Sequence, residues 1–470
     1  MMSSATTETS STIVRTKPLM SMKNILLMNL GFFGIQYSFG MQQTAINPIY
    51  QMLGASPEDL PLLNLAGPVT GLLVQPLVGA MSDRTWHPKW GRRRPYFIVG
   101  AIGCSICLAL FPWVSAVWMA VLLLWALDAS NNTAMEPYRA FISDRLPPSQ
   151  LAKGFLAQSF FCGFGITLAN LCIWGFPKIL PGTTGQLPTW VFAAFLVGSV
   201  CSIATVMISV LTTPELPPSE AELRELAEQK ASGGGLMGYI KDIGSAIVDM
   251  PPTLRKLALV YFFQWYAMNC YWQYVSLSVA KGVYGVEDTA AQPELYEQAV
   301  ATTGSINAFY NIVTFCVAFL LAGLARKHGA KWVHAICLFL AAIGLGIFPH
   351  ITDPYLLFVP IVGLGIAWAS IMGVPYIMAV RVIPSTRYGV YMGIINMMIV
   401  IPMLIQTLTF GPIYKHVLGD NPHNAITAAA VLLACAALAM LWIKEPPIVR
   451  DVEDIRSKSG EDTIGQHSEG

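Results

Sequence analysis

Long apolar runs constrain this chain more than any other feature of its sequence. A helix needs about 20 predominantly apolar residues to cross a bilayer. We find twelve such segments, at 24–53, 59–82, 95–113, 116–143, 152–177, 188–212, 256–282, 297–325, 331–350, 354–381, 388–415 and 423–443. Backbone groups in lipid are satisfied only in helices or closed barrels, and these runs are too long for barrel strands. The sequence therefore predicts an all-α membrane protein with twelve transmembrane helices.

The composition supports this class and excludes others. Only 12% of the 470 residues are charged and 54% are hydrophobic, whereas soluble domains contain about 25% charged residues. We therefore expect the lipid bilayer to surround the chain. The net charge of +1 gives no reason to expect nucleic acid as a partner. The cysteines and histidines have no metal-site spacing, and the histidines fall at predicted helix ends or in loops, so we expect no metal or organic cofactor.

The distribution of Lys and Arg predicts the orientation of the chain. Lys and Arg are concentrated in alternate loops, for example at 89–94 and 326–331, and such loops face the cytoplasm. Both termini are then cytoplasmic. A Pro-rich, charged and Gly-rich stretch separates two sets of six segments. We expect an N-terminal tail at 1–23, a six-helix bundle at 24–212, a cytoplasmic linker at 213–250, a second six-helix bundle at 251–443 and a C-terminal tail at 444–470.

A weak internal repeat supports two related halves. A Gly-rich, basic motif at 79–94 follows the second segment, and a similar one at 323–331 follows the eighth. Transporters built from repeated halves place their substrate site between the repeats. The first motif, Gly-x-x-x-Asp-Arg followed by Gly-Arg-Arg-Arg, resembles the cytoplasmic signature of the major facilitator superfamily, although six residues separate its two parts here. We predict a conformational latch made of Asp83, Arg84, Arg92 and Arg93. The alternative is a simple positive-inside anchor.

The fourth segment contains the only ionisable residues that lie well inside any segment: Asp128, Glu136 and Arg139. A charged side chain at membrane depth costs roughly 2.5–3.5 kcal/mol on insertion scales, so each is a candidate functional residue. With Asn131 and Asn132 they share one helix face, which we expect to look into the bundle or a wet cavity. We predict that Asp128 binds and releases the coupling proton, with Glu136 and Arg139 assisting.

A structural role is the alternative for part of this set. Arg139 could form an interhelical ion pair with Glu136 or with Asp144, without any part in coupling. The sequence alone leaves both interpretations open.

Uncharged polar and aromatic residues in other segments suit a sugar. Amides can match hydroxyl groups, and aromatic faces can pack against a sugar ring. The candidates for substrate binding are Gln36, Gln42, Asn131, Asn132, Gln158, Gln264, Trp265, Asn269, Trp272, Asn307, Asn311 and Trp368. For any one of them, an interhelical hydrogen bond or an interfacial anchor is an equally good interpretation.

Several of these strings together resemble the sucrose–proton symporters of plants and their animal and bacterial relatives. The resembling stretches are 34–48 in the first segment, 67–95 around the second, 128–144 in the fourth and 367–396 in the tenth and eleventh. The resemblance implies proton symport of a disaccharide, with Asp128 at the position of the proton-binding carboxylate and Arg139 at that of an essential arginine. Glu136 stands where plant members have a small residue, so a second carboxylate is expected to take part.

The combined prediction is a proton-coupled symporter that imports a disaccharide (sucrose, maltose or a similar α-glucoside) by alternating access. We expect a monomer in the plasma membrane, or in the inner membrane if the source is bacterial, and no enzymatic activity. The alternatives are a proton-linked antiporter of another small organic molecule and a sugar sensor that does not transport. A membrane enzyme would need a catalytic carboxylate or histidine near an interface, which we do not find.

Overall fold

The computed structural model describes residues 17–217, 244–383 and 388–444. Each of the twelve predicted segments is helical over most of its length. The helices are α1 (Met22–Asn29), α2 (Gly31–Met41), α3 (Asn47–Met52), α4 (Leu60–Leu63), α5 (Ala66–Arg84), α6 (Arg94–Leu110), α7 (Val117–Arg145), α8 (Pro148–Ile179), α9 (Thr189–Thr212), α10 (Pro252–Tyr284), α11 (Pro293–His328), α12 (Ala330–Ile347), α13 (Phe358–Val382), α14 (Tyr388–His416) and α15 (Pro422–Leu441). A short antiparallel hairpin, β1 (Thr183–Thr184) and β2 (Leu187–Pro188), precedes α9.

The first predicted segment is not one regular helix. A π-helical turn, Gln42–Ile46, connects α2 to α3. Pro48 follows directly in the first turn of α3, where its ring crowds the carbonyl group of Thr44 and supplies no N–H. This explains why the helix widens in the turn before it. Such π-turns often lie at functional sites, and this one presents the side chain of Gln42.

Nine of the described helices have the length and hydropathy needed to cross a membrane. The three predicted segments outside this set are the first (α1–α3), the fourth (α7) and the seventh (α10). These three contain most of the candidate site residues. Their polar side chains lower the mean hydropathy, which explains why these segments fall outside the set. The full count of twelve spans and the cytoplasmic termini stay predictions.

The chain forms two compact units whose limits do not follow the predicted bundles. Unit 1 comprises Met1–Asp242, Val275–Ala308 and Thr407–Asp420, as far as these ranges are described. Unit 2 comprises Ile243–Tyr274, Phe309–Gln406 and Asn421–Gly470, within the same limit. The predicted tails lie mostly, and the predicted linker largely, outside the described residues.

The core of unit 1 is organised around Tyr138 of α7. Its ring stacks between Phe32 and Phe97, with centroids 4.2 and 4.6 Å away. Its hydroxyl accepts from the backbone N–H of Gly31 at 3.0 Å and donates to the carbonyl oxygen of Met28 at 2.6 Å. This buried tyrosine therefore satisfies backbone groups at the α1–α2 break and fixes α7 against them.

Helices α2 and α8 approach closely through Gly165. A Cβ atom there would collide with the carbonyl oxygen of Phe33 and lie 2.9 Å from the backbone nitrogen of Tyr37. Gly163, on the same helix, has open space where its Cβ would be.

We therefore expect Gly165→Ala to lower the apparent Tm of the detergent-purified protein by several degrees, because overpacking costs about 1–3 kcal/mol. Gly163→Ala is the matched control and should leave Tm unchanged. Equal Tm shifts in the two variants would contradict the close α2–α8 packing.

Candidate functional site

Asp128 is buried inside unit 1, with 3% of its surface exposed. A Cβ added at Gly67 of α5 would lie 3.7 Å from its Oδ2 atom, so α5 passes close beside the carboxyl group. Gln42 of the π-turn also lies beside it, and the Nε2 atom of Gln42 has no other hydrogen-bond partner. Within the described residues, no cation forms an ion pair with Asp128. The structure thus places an isolated carboxyl group next to an amide donor.

The two amides that follow Asp128 connect α7 to its neighbours. Asn131 donates through Nδ2 to the hydroxyl oxygen of Ser38 at 2.9 Å. Asn132 donates through Nδ2 to Thr70 Oγ1 at 3.0 Å and accepts from Gln75 Nε2 at 2.6 Å. All of these groups are buried. These are the interhelical hydrogen bonds that the sequence offered as the alternative to substrate binding. The role of Asn131 and Asn132 as substrate ligands stays a prediction.

Glu136 and Arg139 differ from Asp128 in their surroundings. They form an ion pair of 3.0 Å along α7, with 31% of the Glu136 side chain and 44% of the Arg139 side chain exposed. An exposed pair of this kind contributes at most about 1 kcal/mol to stability. The predicted polar face of α7 is therefore divided into a buried part at Asp128 and a more accessible part about two to three turns away. Asp144, the other partner considered for Arg139, pairs with Arg93 instead.

Two residues of the predicted latch, Arg92 and Arg93, contact helix ends of unit 1, and the latch role itself stays a prediction. Arg93, with 6% exposure, donates through Nε to Asp144 Oδ2 at 2.9 Å and through an Nη atom to Ser82 Oγ at 2.6 Å. Arg92 donates through Nε to the carbonyl oxygen of Ser82 at 3.3 Å. These contacts join the ends of α5, α6 and α7. The side chains of Asp83 and Arg84 lie outside the described part of the chain.

Glu215 completes this cluster and was not predicted. Its carboxylate accepts from the backbone N–H groups of Arg92, Arg93 and Arg94 at 2.7, 2.8 and 2.8 Å. A negative charge at a helix N-terminus satisfies free donors and interacts favourably with the helix dipole. Gly91 has φ +78°, and a Cβ there would collide with the Glu215 carboxylate. An acidic residue between Pro214 and Pro217 after α9 was the available sequence signal.

Three predicted tryptophans meet in unit 2. The rings of Trp265 and Trp272 on α10 both make edge-to-face contacts with Trp368 of α13, at centroid distances of 5.7 and 5.4 Å. Trp272 Nε1 also donates to the hydroxyl oxygen of Tyr310 at 3.4 Å. All three tryptophans are mostly buried, so they are packed inside the protein and are not interfacial anchors. Their faces could pack against a sugar ring.

Amides accompany this tryptophan cluster. Asn269 donates through Nδ2 to Gln406 Oε1 at 2.6 Å, and Gln406 donates through Nε2 to Gln273 Oε1 at 2.8 Å. Three buried side-chain N–H donors of α10 have no acceptor among the described residues, namely the Nε2 atoms of Gln264 and Gln273 and the Nε1 atom of Trp265. Donors of this kind suit hydroxyl or ether oxygens of a ligand. Gln406 was missed, although an amide within the apolar eleventh segment was a usable signal.

His334 requires a correction. The sequence suggested that every histidine lies at a helix end or in a loop, but His334 lies within α12 and is fully buried. Its Nε2 atom is 3.1 Å from Gln264 Oε1, and its Nδ1 atom is 2.7 Å from Ser370 Oγ. Because an amide oxygen can only accept, Nε2 carries the hydrogen and Nδ1 of the neutral ring accepts from the serine hydroxyl. His334 therefore orients Gln264.

Four predicted ligands remain: Gln36, Gln158, Asn307 and Asn311. Asn307 donates through Nδ2 to Thr44 Oγ1 at 2.9 Å, and Thr44 donates to Asn170 Oδ1 at 2.7 Å, all within unit 1. Asn311 is buried in unit 2. Gln36 and Gln158 are half-buried in unit 1. The roles of these four residues as ligands stay predictions.

Comparison with known protein families gives a consistent result. The family model described as Major Facilitator Superfamily matches residues 28–407 and, in a second match, 257–459. Sucrose transport protein SUT5 of Oryza sativa subsp. indica is 26% identical, over 87% of this chain and 85% of its own. Sucrose transport protein SUC4 of Arabidopsis thaliana is 26% identical, over 88% and 89%. The resemblance predicted from the sequence is confirmed by these relatives.

Solved structures support the same fold. A D-xylose-proton symporter matches with a TM-score of 0.64 and 16% identity, over 90% of this chain and 97% of its own. The nucleoside transporter NupG matches with a TM-score of 0.65 and 13% identity, over 90% and 100%. At these identities the likeness establishes the fold and nothing finer.

The different surroundings of Arg93 and Arg139 lead to a stability prediction. We expect Arg93→Met to destabilise the protein by about 1–3 kcal/mol, because Asp144 and Ser82 both lose a donor. Arg139→Met removes an exposed pair and should change Tm very little. Thermal unfolding of both variants in the same detergent measures the difference in Tm. A larger Tm loss for Arg139→Met than for Arg93→Met would refute this account of the two arginines.

Proposed function

Because the chain belongs to the major facilitator superfamily, we propose that it imports a sugar in symport with protons. It is a multi-pass membrane transporter and not an enzyme. The proposed cargo is a disaccharide such as sucrose, maltose or a similar α-glucoside. The proposed location is the plasma membrane, or the inner membrane of a bacterium, with the protein acting as a monomer and the proton as its only coupling ion.

One observation carries the proton coupling: Asp128 is a buried carboxyl group without a cationic partner among the described residues. An unpaired charge is costly to keep away from water, so the neutral form is favoured when the site is closed. When the site opens to water, the same group can exchange its proton. Gln42 supplies a hydrogen-bond donor to either form. A carboxyl group in this position can link its protonation to the opening and closing of the protein.

We propose the following cycle. Asp128 takes a proton from the outside, and the neutral site then accepts sugar. The loaded protein then closes the site to the outside and opens it to the inside, where the sugar leaves first and the proton follows. A proton that moves down about 100 mV supplies about 2.3 kcal/mol, which supports roughly fiftyfold accumulation of sugar before any pH gradient is added.

The proposed sugar contacts lie largely in unit 2. The aromatic faces of Trp265, Trp272 and Trp368 offer apolar surfaces for a pyranose ring. The unpartnered amide donors of Gln264 and Gln273 offer hydrogen bonds to its oxygens. None of these side chains carries a charge, which suits a neutral polyol better than an ion. The curated relatives named as sucrose transport proteins support the same substrate class.

Two other functions remain as rivals with distinct signatures. A proton-linked antiporter of organic cations would be inhibited by lipophilic cations, whereas the proposed symporter would be inhibited by disaccharides. A sugar sensor would bind sugar without exchanging it across a membrane. Counterflow of labelled sucrose in proteoliposomes separates a transporter from a sensor.

We expect Asp128→Asn to abolish uphill uptake of sucrose or maltose, because an amide cannot bind or release the coupling proton. In proteoliposomes with an imposed pH gradient, wild-type uptake should rise as the external pH falls and should collapse with a protonophore. The variant should retain sugar counterflow, which needs no net proton movement, and lose both dependences. Uphill uptake by the variant with the wild-type pH dependence would overturn the assignment.

Glu136→Gln provides the comparison on the same helix. Glu136 is paired with Arg139 and more accessible than Asp128, so we expect its removal to reduce the rate of uptake while accumulation remains. A complete loss of accumulation in Glu136→Gln, with accumulation intact in Asp128→Asn, would move the proton site to Glu136.

A further inference from the structure

Gln406 lies fully buried in α14, within an apolar stretch of that helix. Both ends of its amide are used inside unit 2. Its Oε1 atom accepts from Asn269 Nδ2 at 2.6 Å. Its Nε2 atom donates to Gln273 Oε1 at 2.8 Å and lies 3.7 Å from Cys270 Sγ. One amide on α14 therefore binds two amides of α10.

These bonds determine which way the α10 amides point. An amide oxygen only accepts and an amide nitrogen only donates. Asn269 donates through Nδ2 to Gln406, so the Oδ1 atom of Asn269 points away from Gln406. Gln273 accepts through Oε1 from Gln406, and the Nε2 atom of Gln273 is buried without a partner. The pair thus presents an acceptor at Asn269 and a donor at Gln273.

The position of this pair relates it to the tryptophan cluster. Asn269 lies between Trp265 and Trp272 on α10, at helical spacings of four and three residues, so it shares their face. Asn269 retains a small exposed surface, whereas Gln406 has none. Gln406 is therefore more deeply buried than Asn269 and is not itself at the accessible surface.

We propose that Gln406 is a positioning residue that sets the donor and acceptor pattern with which Asn269 and Gln273 meet the sugar. The inference rests on the proposed sugar transport. Sites built to hydrogen-bond a substrate discriminate strongly against analogues whose donors and acceptors do not match. By fixing two amides at once, Gln406 determines which of two disaccharides is preferred, without touching either.

The test is the ratio of KM values for sucrose and maltose, measured by uptake in proteoliposomes. Gln406→Met keeps the volume and removes both hydrogen bonds. We expect it to raise KM for the preferred sugar about tenfold, to change the KM ratio clearly and to leave Vmax nearly unchanged. Leu408→Met, on an exposed position of the same helix (57% exposed), is the control and should behave as wild type.

Gln406→Glu tests the same idea by rescue. A protonated glutamic acid has one O–H donor and an acceptor oxygen, so at acidic pH it can replace both bonds and should keep the wild-type KM ratio. If Gln406→Met does not fold, Gln406→Asn serves in its place, because its shorter amide cannot reach both partners and should change the ratio too.

The outcomes separate the two claims. An unchanged KM ratio in Gln406→Met or Gln406→Asn, with wild-type uptake intact, overturns the positioning role alone. An equal rise of KM for both sugars does the same, since it indicates a merely structural role. Failure of the wild-type protein to take up or exchange any disaccharide overturns the proposed function and this inference with it.

Discussion

The lack of water inside a bilayer is the constraint on which the rest of this structure depends. Each polar group placed there must find a partner within the protein or serve a ligand or a proton. Many of the described polar side chains have such partners. Asn131 and Asn132 form hydrogen bonds with neighbouring helices. Asp128 differs from these residues, because no cation among the described residues forms an ion pair with it.

The sequence predicted the parts of the fold that depend on local pattern. Apolar runs located the helices, and polar residues at membrane depth marked α7 and α10 as the helices with the most candidate site residues. The tryptophan cluster could be predicted only as a set of residues, because the meeting of α10 and α13 depends on how helices pack. Gln406 and Glu215 escaped prediction for the same reason. Their importance comes from partners far away in sequence, which helical spacing cannot reveal.

The difference between Asp128 and Glu136 also required the structure. Both carboxylates lie on one predicted face of α7, and periodicity treats them alike. Packing separates them, because α5 and the π-turn bury Asp128, whereas Glu136 pairs with Arg139 at a more accessible position. The roles proposed for the two units follow from the chemistry of the residues in each. The titratable group is in unit 1, and the uncharged aromatic and amide groups suited to a sugar are mainly in unit 2.

The central claim is that sugar and proton bind to the same form of the protein, with Asp128 as the proton site. Linkage then requires that sugar binding increase proton binding. The most direct measurement is the pH change of a weakly buffered solution of purified protein when sucrose or maltose is added. We predict proton uptake by the wild-type protein and none by Asp128→Asn at equal sugar occupancy. Sugar binding without proton uptake in the wild type, or equal uptake in the variant, would contradict the account.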